Sequence, residues 1–122
     1  MAGKNGKAPA LSGLAAAILA RDDGAHVDVP CPEWDCTVRL AVMTLAERAV
    51  WSERVSATKD SGLSSAILIC SCARNADGTP LFALDQAEAL AGKSGVVLER
   101  LTLAALKLNK LRATDREDAV KN

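Results

Sequence analysis

The stretch on which the fold turns is His26-Val27-Asp28-Val29-Pro30-Cys31-Pro32-Glu33-Trp34-Asp35-Cys36-Thr37-Val38-Arg39-Leu40-Ala41-Val42. Val27 and Val29 alternate with His26 and Asp28 until Pro30 ends the run; Val38, Leu40 and Val42 alternate with Thr37, Arg39 and Ala41. Period two with β-branched residues marks strands that turn one face inward. The intervening Pro-Cys-Pro-Glu-Trp-Asp-Cys is too awkward for a two-residue turn, so a β-hairpin with a longer connection is predicted at about residues 26–43. Two strands alone are marginal in water. They must lie against helices or against a partner's sheet edge.

Both flanks read as helix. Upstream, the Ala-rich run Leu11 to Ala20 is stopped by Arg21, Asp22, Asp23 and Gly24, which predicts a short first helix. Residues 1–10 have no period and read as a flexible lead-in. Downstream, Thr44 and Glu47 form a Thr-x-x-Glu capping box, opening a helix that runs through Trp51 to about Ala57. Leu63 to Ala73 is apolar almost all round. Periodicity leaves strand and helix both open there, and its length and the Ser64-Ser65 start favour a central helix. Asn75, Asp77-Gly78 and Pro80 spell a turn. A helix follows from about Leu84 to Ala91, with Gly92 as its stop. Ser94 caps the last helix, Gly95 to about Arg112, where Val97, Leu98, Leu101, Ala104, Ala105, Leu108 and Leu111 share a stripe. The polar residues 113–122 read as a fraying tail.

The predicted fold class is therefore mainly α with a small β-hairpin (α+β): a short first helix, two antiparallel strands, then a bundle of about four helices. Residues 11–112 form one domain. Composition agrees, because 49% of the 122 residues are hydrophobic while only 2% are aromatic. Ala and Leu carry that apolar share, and both cost little to place in a helix.

Fifteen basic and fifteen acidic residues balance to zero net charge, which argues against nucleic acid as a partner. The apolar run Leu14 to Ala20 is too short to span a bilayer, so no membrane partner is expected. Met1 to Pro9 carries no secretory pattern, which leads to an expectation of a reducing cytosol and free thiols at Cys31, Cys36, Cys70 and Cys72. Cys70 and Cys72 are two apart, a poor chelate on a helix, and His26 adds no ligand spacing. No metal and no cofactor are expected. His26 with Cys31 or Cys36 could pair as thiol and imidazole, but no third member or oxyanion site can be named. Gly92-Lys93-Ser94 lacks the rest of a phosphate loop, and a calcium loop centred on Gly78 fails at both ends. The sequence predicts no enzyme.

Several residues, read in order, match a known family. They are Ala17-Ile18-Leu19-Ala20 with Asp22-Asp23, Val27-Asp28-Val29-Pro30, Pro32-Glu33-Trp34 and Thr37-Val38-Arg39-Leu40. Leu45-Ala46-Glu47-Arg48 with Trp51 and the Ala66 to Cys72 run follow. Next come Asp77-Gly78-Thr79-Pro80-Leu81-Phe82, Leu90 and Lys93-Ser94, then Leu101 and Ala104-Ala105-Leu106-Lys107-Leu108-Asn109. Over about Leu14 to Leu111 the chain resembles the tail assembly chaperones of long-tailed bacteriophages, in the branch with a valine–proline–glutamate–tryptophan hairpin. It departs from them in Trp34-Asp35-Cys36, where the family often has Trp-Gly-Gly, in the inserted Cys31, and in Ala83, where a capping Ser or Thr is usual.

The resemblance implies a helical protein of the infected host's cytoplasm that coats the tape measure protein during tail building and is absent from the mature virion. It also implies homo-oligomers and, in many members, a longer product of ribosomal frameshifting. Within that reading Val96, Leu103 and Leu106, set among Glu99, Lys107 and Lys110 opposite the main stripe of the last helix, are candidates to hold the partner or a neighbouring subunit. Cover by another helix of the same domain is the favoured reading of that set. Trp34 is a further candidate, with anchoring of the hairpin as its competing role. The alternatives are a minor structural tail protein retained in the particle, a small DNA-binding regulator and, last, a thiol enzyme.

Overall fold

The computed structural model describes residues 9–111, with side chains from residue 13 onward. The tail at 113–122 and all of the lead-in before Pro9 lie outside the described residues. Helix α1 spans Pro9–Ala20, starting two residues earlier than expected. Strands β1 (His26–Cys31) and β2 (Cys36–Ala41) follow, then α2 (Leu45–Ser56), α3 (Ser61–Cys72) and a two-residue strand β3 (Ala73–Arg74). Helices α4 (Ala87–Ala91) and α5 (Gly95–Leu108) complete the fold. The α+β class and the four helices after the hairpin are as expected, and β3 adds a third strand to the sheet.

The strand order is β1-β2-β3, antiparallel throughout, with Val29 opposite Val38 and Leu40 opposite Ala73. All four of these side chains are buried, because directly opposed residues point to the same face. The other face carries a two-pronged ion pair from Arg39 Nε and Nη2 to the Asp28 carboxylate, at 2.9 and 3.3 Å. Pro30 sits on the outer strand, where its missing N–H interrupts no ladder and discourages a further strand from adding. The hairpin connection is a 3-10 turn at Pro32–Trp34 closed by Asp35 at φ 55, ψ 42. Asp is one of the few residues other than Gly that adopt this left-handed geometry readily.

Helices α2, α3 and α5 each start at a side-chain cap. The Thr44–Glu47 capping box is complete: Thr44 Oγ1 accepts from the Glu47 N–H at 3.1 Å, and Glu47 Oε1 accepts from the Thr44 N–H at 2.9 Å. Helix α3 starts earlier than Ser64 because Asp60 caps it, its Oδ1 accepting from the Leu63 N–H at 3.0 Å. Before α4 only half a box exists. Ala83 has no side-chain acceptor, so Gln86 Oε1 accepting from the Ala83 N–H at 2.9 Å stands alone, and the chain there makes a 3-10 turn, Leu84–Gln86, before α4 begins.

Helix α5 ends at Leu108, earlier than the expected Arg112. Lys110 adopts φ 55, the Lys110 N–H donates to the Lys107 carbonyl at 3.2 Å, and the Leu111 N–H donates to the Leu106 carbonyl at 2.8 Å. These two bonds make a Schellman motif, with lysine in the place glycine usually takes. The core lies where α3 packs on α2, α4 and α5, and α5 closes over β1 and β2. Leu40, Val55, Leu68, Ile69, Val97 and Leu101 are fully buried at its centre.

Candidate functional site

Among the described residues, three ion pairs join separate elements. Arg100 of α5 grips Glu33 in the hairpin turn through both carboxylate oxygens, at 2.6 and 2.8 Å, and its Nη1 also reaches the Pro30 carbonyl at 3.4 Å. The Arg100 guanidinium holds the Glu33 carboxyl at about 2, well below its ordinary range. Arg74 donates to Glu47 at 2.8 Å, fixing the end of α3 to the start of α2. Asn109, buried beside the α5 terminus, accepts from the Met43 N–H at 2.8 Å and donates to the Ala105 carbonyl at 3.0 Å and to Cys72 Sγ at 3.5 Å.

The four cysteines are free thiols. Burial pushes Cys70 up to about 11 and Cys72 up to about 12, and it raises Cys31 as well. Such thiols stay protonated near neutral pH, and the thiolate is the reactive form. Cys31 and Cys36 face each other across the hairpin. His26, at the far end of the same strand, opposes Ala41 and not a cysteine. Among the described residues no group of three or more His, Cys, Asp or Glu is gathered as metal ligands are. None of the described helices is long and apolar enough to cross a membrane.

What the surface offers is apolar. On α5, Val96 and Leu103 stand outward at 69% and 57% exposure. Leu106 does not join them. It is 7% exposed, because the buried arc of α5 is wider than the predicted stripe and takes in Thr102 and Leu106 beside Leu98 and Leu101. The Schellman closure also needs Leu106 inside, since Leu111 two places past the cap is buried with it. Trp34 is half-buried and packed against the core at the hairpin turn, the anchoring role.

Sequence reasoning missed two larger features. Helix α1 is almost uncovered: Leu14, Ile18 and Leu19 are 73%, 59% and 86% exposed, and only Ala15 among its described side chains is partly covered. Its composition was legible, but nothing local says whether an apolar helix is covered by its own chain. The second feature is an open cleft of about 370 Å³ between α2, α3 and the segment after the Asp77–Pro80 turn. Ala46, Val50, Cys70, Pro80, Phe82 and Leu84 form its apolar walls, with the Glu47–Arg74 ion pair among the lining groups. Three separated segments build it, so no window of sequence contains it.

The arrangement of a helical body behind a β-hairpin is similar to that of a solved structure. The tail assembly chaperone of bacteriophage HK97 superposes on this chain with a TM-score of 0.57 and 26% sequence identity, over 78% of this chain and 91% of that one. This chain has the fold of a phage tail assembly chaperone. No protein-family model matches it, and neither does any curated protein sequence. The likeness to the HK97 chaperone agrees with the resemblance carried by the ordered residues of the hairpin and helices.

Proposed function

We propose that this chain is a tail assembly chaperone of a long-tailed bacteriophage, one that binds the tape measure protein and keeps it soluble in the host cytoplasm while the tail is built. The observation that carries the reading is the likeness to the HK97 chaperone, which spans most of both chains. The surface supports it physically. A long helical client presents many apolar stripes, and a holder needs exposed aliphatic side chains that accept varied sequence. Val96 and Leu103, one face of α5 two turns apart, are such side chains. In this reading the protein does no chemistry; the client is held and released.

Co-expression with the tape measure protein of the same phage tests the proposal. The wild-type chain is expected to co-purify with it. The double variant Val96→Ser, Leu103→Ser, whose changes fall on exposed positions, is expected to fold and to lose most of the co-purified client. Equal recovery with both chains removes this face from the account, and no recovery with either removes the proposal.

A further inference from the structure

We infer that Cys31 and Cys36 act as a dithiol–disulfide couple, oxidised by a low-molecular-weight disulfide such as oxidised glutathione to a cross-strand bridge that closes the hairpin turn. The two residues are directly opposed in the register of β1 and β2, at the last pair before the Pro32–Trp34 turn. Their side chains belong to the sheet face of Val29 and Val38, because alternate residues of a strand share a face. The spacing suits a bridge. The Val42 N–H donates to the Ala25 carbonyl at 2.9 Å, which makes that opposed pair a hydrogen-bonded one, and alternation puts 31 and 36 in the same class. Such pairs hold their Cα atoms about 5.5 Å apart, within the roughly 4.4–6.8 Å that disulfides span. Cys31 Sγ donates to the Val29 carbonyl at 3.6 Å, so a rotation about its Cα–Cβ bond is what turns it toward Cys36.

Exposure sets the order of events. Cys36 is exposed, whereas Cys31 is fully buried, so an incoming disulfide meets Cys36 first. The Cys36 thiolate attacks one sulfur of the reagent, its S–S bond breaks, and one half leaves as a thiol after taking a proton. Cys31 then loses its proton and attacks the Cys36 sulfur; the mixed disulfide breaks and the second half leaves as a thiol. Two protein thiols are oxidised, one reagent disulfide is reduced to two thiols, and both protons end on those thiols. Burial raises the Cys31 thiol and its neighbour Cys36 raises it further, while the Arg100 guanidinium acts the other way. The second step is therefore the slow one. Cys70 and Cys72 stand outside the couple, buried in α3 and two residues apart. A bridge with one exposed sulfur is also open to attack by the released thiols, which makes the couple reversible. The same turn carries Glu33, held by Arg100 of α5, so the bridge fastens it a second time.

Titration of the full, reduced chain with oxidised glutathione tests it, with the remaining thiols alkylated in denaturant and the products mapped by mass. Two of the four thiols are expected to be lost from alkylation, with no glutathione retained at saturation. A glutamate-specific protease cuts after Glu33, between the two cysteines, so the flanking fragments should stay joined until a reductant is added. Excess reduced glutathione should restore all four thiols. Cys36→Ser, a change at an exposed position with the fold checked by circular dichroism, should lose none of its remaining thiols. A wild-type chain that stops as the glutathione adduct of Cys36, a bridge that includes Cys70 or Cys72, two chains linked through Cys36, or four thiols unchanged at every ratio would each overturn the inference. The outcome is separate from client binding, which is assigned to Val96 and Leu103.

Discussion

Asn109 holds more of the structure together than any other polar side chain of the core. Its Oδ1 is the hydrogen-bond acceptor for the Met43 N–H, where the chain leaves the hairpin for α2, and its Nδ2 ties the end of α5 to Cys72 at the end of α3. Asn109→Ala leaves a buried N–H unpaired, which costs about 2–3 kcal/mol and should lower Tm by on the order of 10 °C in thermal unfolding. The opposite case is Thr102, whose Oγ1 is buried without a protein hydrogen-bond partner. Thr102→Val keeps the shape and removes the hydroxyl, so chemical denaturation should show a gain of about 1 kcal/mol. Glu33 sets a pH dependence. Its folded carboxyl lies at about 2 against an ordinary 4.5, so the Arg100 contact contributes fully above about 4.5 and is lost as pH falls toward 2. Trp34, in the same turn, is expected to change its fluorescence across that window, and Glu33→Gln should abolish the change. None of these roles was legible in advance. Asn109 and Met43 are 66 residues apart, and only tertiary structure brings them together.

At the scale of elements, what could be read depended on whether the signal was local. The capping box at Thr44–Glu47, the alternation in β1 and β2, and the turn at Asp77-Gly78 all lie within a few residues, and each element stands where its residues point. Strand β3 was not legible, since two residues carry no period; pairing with β2 defines it. The α5 stripe was right at its centre and too narrow at its edge. A period of 3.6 gives the direction of the buried face, but the width of that face depends on how many elements close around it, and α5 is closed by α3, β1 and β2. Leu103 and Leu106 therefore differ sharply although they are one turn apart. Leu106→Ser should cost about 3–5 kcal/mol by emptying a packed site and burying a hydroxyl, while Leu103→Ser should stay within about 0.5 kcal/mol. Urea unfolding of the two variants separates them.

For the molecule as a whole, three ion pairs among the described residues fasten elements together: Arg39 to Asp28, Arg74 to Glu47 and Arg100 to Glu33. The large apolar residues left outside lie on α1, on α5 and around the cleft. The fold class and the resemblance to tail chaperones were readable from ordered short matches along the chain, because those matches follow the local signals of caps, strands and turns. The candidate surface was only half readable, since exposure is a property of the finished packing. Under the proposed function, the protein is expected to be missing when purified virions are probed by mass spectrometry.

Whether this surface holds a client chain in solution is measured directly by the amount of tape measure protein left in the supernatant after refolding from denaturant with increasing amounts of this chain. Soluble client is expected to rise with added chain to saturation at a fixed ratio, and the Val96→Ser, Leu103→Ser variant is expected not to support the rise. Client that precipitates equally at every ratio, or that stays soluble with no chain added, would contradict it.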